Sequence, residues 1–221
     1  MKEAKITPAL EDYLKAIYVV GEEVQPVIAA RIADEVGVSP STMFSTLRKL
    51  KSEGYVAINR RKEVRLTEEG KRVAEVILRR HFLTERFLTD LLGLDWVKAH
   101  QEAHRMEHAI SQEVEERLAK FLGHPTTCPH GNPIPGTKAS IPQRGGPLHL
   151  IPAGKEVELE CVTEGGERDP RLLGFLQQHG LFPGAKFQVL DVAPSLGIMN
   201  LKVGAEEFYL GIEAAKKIRV H

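Results

Sequence analysis

The sequence predicts a mainly α protein with a small β domain: an N-terminal winged helix-turn-helix, a helical middle and a C-terminal barrel. Three observations carry this. Apolar residues recur at helical spacing through the first half of the chain. Seven of the thirteen prolines lie between Pro125 and Pro152, together with Gly131, Gly136, Gly145 and Gly146, and such a stretch suits neither a long helix nor a central strand. Beyond it the texture changes to short strand-like runs.

Leu10, Tyr13, Leu14, Ile17 and Tyr18 form the stripe of a first amphipathic helix, with Thr7 as N-cap and Pro8 at the first helical position. Ile28 to Val36 reads as a short second helix stopped by Gly37, and Ser39-Pro40-Ser41-Thr42 opens a third that runs to Glu53-Gly54. Two short helices joined by a tight glycine turn make a helix-turn-helix. Residues 55–58 and 64–66 flank Asn59-Arg60-Arg61-Lys62-Glu63 as a hairpin with a basic tip, which completes a winged helix. Thr67 caps a long helix from Glu68 to about Leu92, Asp95 caps the next, and Ser111 restarts a helix to Leu122-Gly123. After the proline-rich connection come strands at 157–163, 187–192, 198–203 and 206–210, with one short helix over 170–178, the pattern of a small barrel.

With 221 residues, 42% of them hydrophobic and 27% charged, the chain is neither disordered nor collagenous, and it is long enough for two cores. Thirty basic residues cancel thirty acidic ones, so a charged partner must be met by a local surface. One such surface exists: between Arg31 and Arg72, ten Lys/Arg stand against six Asp/Glu. Two cysteines are too few for a disulfide framework, which predicts a reducing, cytoplasmic setting. No apolar run approaches the ~18 residues of a membrane span, and no secretory signal follows Met1, so neither membrane insertion nor secretion is expected.

Around the start of the third helix, Ser39, Pro40, Ser41, Thr42, Ser45 and Thr46 place small groups where a helix N-terminus can meet phosphates and base edges. Arg48, Lys49 and the wing residues Arg60 and Lys62 add charge that releases counterions. Double-stranded DNA is the predicted partner. Further on, His100, His104, Glu107 and His108 fall at i, i+4, i+7 and i+8, on one helical face, and His81 and Glu85 do the same on the preceding helix. Imidazole and carboxylate from two packed helices suit a transition metal. Cys128-Pro129-His130 is a weaker ligand pair in a rigid turn, and Cys161 alternates within a strand as a packing residue. Residues 104–108 also spell H-x-x-E-H, the inverted zincin pattern of a zinc metallopeptidase. A third reading is a winged-helix regulator that answers an organic ligand.

These residues resemble the diphtheria-toxin repressor family of metal-dependent bacterial repressors. The resemblance rests on Glu11-Asp12-Tyr13, the stretches 80–88 and 91–95, Glu102-Ala103-His104-Arg105-Met106-Glu107-His108, and Gly131-Asn132-Pro133-Ile134-Pro135-Gly136. It implies a non-enzymatic, homodimeric repressor of metal-ion homeostasis genes. Its domains would be a DNA-binding winged helix over 1–72, a helical metal-binding and dimerisation domain over 73–136, a linker over 137–150, and an SH3-like (FeoA-like) domain over 151–221. By the same resemblance Asp12, His104, Glu107 and His108 form the primary metal site, and His81, Glu85 and His100 an ancillary one. Cys128 and His130 resemble the second site of manganese-type members, completed by Asp169 or Glu167. Iron-type members carry Met and Cys where this chain has Asp12 and His104. Manganese-type members carry a further Glu where Lys15 stands. The harder donors imply manganese, with ferrous ion as a substitute, at two sites per subunit.

Overall fold

Pro8 sets the first φ of α1 (Pro8–Glu23), and Thr7 precedes it in extended conformation. The structure, a computed structural model, describes residues 6–137 and 145–221; residues 1–5 and the middle of the proline-rich connection lie outside the described residues. By its contacts the chain falls into two units. The first runs to Arg80 and takes in Glu107–Ala109, and the second holds His81–Met106 and Ile110–His221.

In the first unit α1 is followed by α2 (Ala29–Val36) and α3 (Pro40–Ser52). Gly37, at φ 74°, closes the turn between α2 and α3 in the left-handed region that favours glycine. Strands β1 (Val56–Ile58) and β2 (Val64–Leu66) pair antiparallel as the wing, and the Val64 amide donates to the Val27 carbonyl at 2.9 Å. The stripes converge on one core: Leu14 and Ile17 from α1, Ile32 from α2, Met43, Leu47 and Leu50 from α3, and Val56 and Val64 from the wing. Thr67 caps α4 (Glu68–Arg86), its hydroxyl accepting the Gly70 amide at 3.1 Å. A Cβ at Gly70 would lie 2.0 Å from the Tyr55 carbonyl oxygen, so the absent side chain is what lets α4 start against β1.

In the second unit the helix expected to reach Leu92 changes its winding: α4 stops at Arg86 and Phe87–Leu91 form a π turn. The wider turn ends with Leu92 donating to the Phe87 carbonyl, a pitch that apolar spacing alone does not reveal. Then follow α5 (Trp96–Met106) and α6 (Gln112–Phe121), capped by Asp95 and Ser111 as expected.

The C-terminal part is a six-stranded antiparallel sheet in the order β3-β8-β4-β5-β6-β7. Its strands are β3 (Gly146–Pro147), β4 (Glu156–Val162), β5 (Lys186–Ala193), β6 (Ile198–Val203), β7 (Glu206–Gly211) and β8 (Ile218–Val220). The short helices α7 (Glu164–Glu167), α8 (Pro170–Gln178) and α9 (Ile212–Ala215) lie between them. Gly146–Pro147, read from the sequence as connection, pairs with β8, so the sheet begins inside that stretch. Trp96 of α5 is buried in the same core as Leu159, Leu173, Leu176 and Val189, and its amide donates to Gln177 of α8 at 3.0 Å. Helix α5 and the sheet therefore share one apolar interior. Among the described residues no helix is long and apolar enough to cross a membrane.

Candidate metal centres and nucleic-acid interface

On α3, Ser39 is the N-cap: its hydroxyl accepts the Thr42 amide at 3.2 Å and lies 2.9 Å from the hydroxyls of Ser41 and Thr42. Ser45 donates to the Thr42 carbonyl at 2.8 Å. Met43, Leu47 and Leu50 bury one face, so Ser39, Pro40, Ser41, Thr42, Ser45, Arg48 and Lys49 stand exposed on the other, with Thr46 half-buried. Phe44, 55% exposed on that outer face, joins the residues expected there. Its position one residue off the buried stripe is the signal that marks it, and an aromatic there suits the methyl group of thymine. At the wing tip Arg60 and Lys62 are exposed. Asn59 orders the turn, its side-chain oxygen accepting the Arg61 and Glu63 amides at 2.9 and 3.0 Å.

Still in the first unit, His108 reaches α1. Its Nε2 lies 3.1 Å from Asp12 Oδ1 and its Nδ1 2.7 Å from Glu11 Oε2. Ligand atoms of Asp12, Glu107 and His108 all lie within 4.8 Å of one another. Glu107 is wholly buried, and both its oxygens accept from Lys15 Nζ at 3.1 Å. Glu107, His108 and Ala109 form a 3-10 turn after α5 ends, so the four-residue stripe expected on one α-helical face is divided. His104 stays on α5 and is exposed, and His100 belongs to the other cluster. Glu11 and Lys15 are additions to the predicted site. Glu11 holds the Nδ1 side of the His108 ring, leaving Nε2 directed at Asp12.

The second cluster is almost entirely interior. His81, Glu85, His130 and Glu167 are 0–1% exposed, and Cys128 is 0% exposed. Glu85 Oε1 lies 3.0 Å from His81 Nε2 and 2.8 Å from His100 Nδ1, while its Oε2 lies 3.4 Å from His130 Nδ1. Glu167 Oε1 lies 3.2 Å from His130 Nδ1 and 3.6 Å from Cys128 Sγ, and its Oε2 3.5 Å from His100 Nδ1. Spacing i, i+4 on α4 aims His81 and Glu85 together. The Cys128–His130 turn is seated by Gly131, at φ 94°, where a Cβ would lie 2.1 Å from the Glu160 carbonyl oxygen. Asn132, from the motif over 131–136, donates to Glu167 Oε1 at 2.5 Å and to the Val162 carbonyl at 2.6 Å.

Of the two acidic residues weighed for this cluster, the structure brings Glu167 into it and gives Asp169 another task. Asp169 is the N-cap of α8 and accepts the Arg171 and Leu172 amides at 3.1 and 3.3 Å. A capping carboxylate is committed to the helix N-terminus, so Asp169 is not among the clustered donors, whereas Glu167 is.

Burial alone would raise the Glu85 carboxyl, but the charges of His130 and His81 outweigh it and hold Glu85 well below the usual carboxylate range. Burial pushes Glu167 up to about 8, aided by the charges of Glu85 and Glu164 and opposed by His130. Burial, with the Glu167 charge, keeps the Cys128 thiol well above its ordinary value. For His130 burial opposes protonation, yet Glu167 and Glu85 prevail and raise it. Glu85 Oε2 and Glu167 Oε2 are buried and accept no hydrogen bond. Buried oxygens without a donor, beside imidazole and thiol, fit a divalent cation.

Residues 67–136 match the iron-dependent repressor metal-binding and dimerisation domain, 5–64 the iron-dependent repressor N-terminal DNA-binding domain, and 146–221 the FeoA domain. The chain is 34% identical over 226 residues to the iron-dependent repressor IdeR of Mycobacterium tuberculosis, covering 98% of each. It is 40% identical over 211 residues to the diphtheria toxin repressor of Corynebacterium jeikeium, covering 86% of this chain and 88% of that one. The chain belongs to the diphtheria-toxin repressor family. Among solved structures it is similar to a manganese-dependent transcriptional repressor in complex with manganese, with TM-score 0.84, 32% identity, and coverage of 96% of this chain and 98% of that one.

A member of this family is a metal-dependent, DNA-binding transcriptional repressor and not an enzyme, which disposes of the peptidase reading. The geometry agrees: the Glu of the H-x-x-E-H spelling is bound to Lys15 by both oxygens, whereas a general base needs a carboxylate facing water.

Proposed function

We propose that this repressor answers manganese, with ferrous ion as a substitute, and controls metal-ion homeostasis genes as a homodimer acting in the cytoplasm. The observation that carries the choice of ion is the donor set at α1. Asp12, Glu107 and His108 offer only oxygen and nitrogen, and the family resemblance would add the imidazole of His104 to them. Hard donors suit manganese and ferrous ion, and the absence of sulfur removes the preference that softer ions would exploit. When bound, the ion supplies a positive charge that oxygen and nitrogen donors share. Asp12 would hold α1 to the Glu107–Ala109 turn, and Glu11 would keep the His108 ring oriented.

Ordering α1 orders the helix-turn-helix packed on it, because Leu14 and Ile17 share the core of Met43 and Leu47. The ion favours the DNA-competent arrangement only by its differential affinity for it, a population shift. In a dimer, α3 of each subunit would enter successive major grooves about 34 Å apart. Ser41, Thr42, Phe44 and Ser45 would read bases there while Arg48, Lys49, Arg60 and Lys62 meet phosphates. The ancillary residues His81, Glu85, His100, Cys128, His130 and Glu167 would bind metal and join the helices to the sheet.

The test is operator binding titrated anaerobically with manganese and with ferrous ion, chelator serving as control. Activation by manganese is expected. Activation by iron and not by manganese would refute the argument from donor hardness.

A further inference from the structure

The ancillary donors fall into two sets. One comprises His81, Glu85, His100 and Glu167, the other Glu85, Cys128, His130 and Glu167, and within each the ligand atoms lie within 4.8 Å of one another. The two carboxylates belong to both sets, and their oxygens divide between them. Glu85 turns Oε1 to His81 and His100 and Oε2 to His130. Glu167 turns Oε2 to His100 and Oε1 to His130 and Cys128. We propose that this cluster holds two divalent ions at once, bridged by Glu85 and Glu167.

Donor separations agree with two coordination shells. Metal–ligand bonds of about 2.0–2.3 Å, at angles between right-angled and tetrahedral, put neighbouring ligands roughly 2.8–3.8 Å apart, and only the Cys128–His130 pair falls just outside. In the first set the observed separations are 2.8, 3.0, 3.2 and 3.5 Å. In the second they are 3.2, 3.4, 3.6 and 3.9 Å. Each set also contains one of the two carboxylate oxygens that accept no hydrogen bond: Glu167 Oε2 in the first, Glu85 Oε2 in the second. A single ion would leave one of them buried with only a long imidazole contact, 3.4 Å to His130 Nδ1 or 3.5 Å to His100 Nδ1.

Two carboxylates and a Cys128 thiolate bring three negative charges to the four positive charges of two dications, leaving the pair at a net charge of +1 with the imidazoles neutral. Asn132 holds Glu167 Oε1 from behind and so fixes the twist of the bridging carboxylate. The sets differ in softness: nitrogen and oxygen in the first, sulfur added in the second.

This inference rests on the reading that the ancillary cluster binds metal, and the experiment separates the two. The full-length Asp12→Ala protein, which lacks a ligand of the primary site, is stripped of metal and titrated with Co2+. Bound cobalt is counted by elemental analysis, and thiolate-to-cobalt absorption reports Cys128. Two cobalt ions per subunit beyond any left at the primary site are expected, one of them carrying the absorption. His81→Gln should lose one ion and keep the absorption, while Cys128→Ser should abolish the absorption and retain the ion of the first set. One ion per subunit in the unvaried cluster would overturn the pair and leave a single ancillary site standing. So would loss of the absorption in a His81→Gln protein of unchanged helical circular dichroism. No cobalt at the cluster would overturn both.

Discussion

Lys15 is 3% exposed and Glu107 wholly buried, 92 positions apart in the chain, so their ion pair sits where desolvation is costly and contact is required. Removing one member of such a pair costs on the order of 3 kcal/mol. Lys15→Met should therefore lower the melting temperature of the metal-free protein, and Mn2+ should restore more stability to the variant than it adds to the wild type, since a dication replaces the lost ammonium. Equal metal-induced shifts in both proteins, followed by calorimetry, would place Glu107 outside the metal's reach. The protons of the ancillary cluster make a second prediction. Glu167, raised to about 8, together with the raised Cys128 thiol and His130 imidazole, holds protons at neutral pH that a bound ion must displace. Ancillary affinity should accordingly weaken as pH falls from 8 to 6, by roughly tenfold per pH unit for each proton displaced. A pH-independent affinity in isothermal titration of the Asp12→Ala protein would contradict this. No sequence pattern announces the Lys15–Glu107 pair, because nothing local relates the two positions.

Among the elements, the wing and α3 divide the work of DNA recognition, and the division is measurable. Arg60 and Lys62 are exposed on a tip ordered by Asn59 and are placed to meet phosphates. Their joint replacement by alanine should weaken binding to every sequence alike and reduce the log-affinity against log-salt slope by about 0.9 for each lost contact. Ser41→Ala or Ser45→Ala should instead change which operators are preferred. An unchanged salt slope in the wing variant would remove the tip from the backbone. The winged helix was legible because its signals are local: Pro8 and Ser39 at helix starts, Gly37 at the turn, and the basic tip Asn59-Arg60-Arg61-Lys62-Glu63 between two short apolar runs. The pair His81 and Glu85 was legible for the same reason. The choice between Glu167 and Asp169 was not. Glu167 ends α7, a single turn of Glu-Gly-Gly-Glu with no apolar stripe, and only the approach of the Cys128 turn to β4 shows which carboxylate faces inward. The π turn at Phe87–Leu91 and the 3-10 turn at Glu107–Ala109 likewise leave the apolar spacing nearly unchanged while redirecting side chains.

For the whole molecule, the shared interior of α5 and the sheet sets what truncation can leave intact. Deleting residues 147–221 would remove Glu167 and strip the cover from Trp96, the single tryptophan of the chain. The shortened protein should lose its ancillary ions and show red-shifted Trp96 emission, while manganese-dependent DNA binding through Asp12, Glu107 and His108 persists. Unshifted emission with a full complement of ions would count against the sheet's part in the cluster. The course of the chain through its two units has a different consequence, one that concerns inheritance. Three residues of the first unit, Glu107–Ala109, are reached only after the chain has passed through part of the second. A recombination event that exchanged the DNA-reading segment at any one point before them would import a new α1 and leave the old residue 107 in place. The hybrid would bury whatever stood at position 15 against a Glu that pairs with lysine here. An exchange made at a single point therefore separates positions 15 and 107, which must travel together or be repaired together, whereas a segment bounded between α1 and α4 would carry α3 and the wing without disturbing the pair.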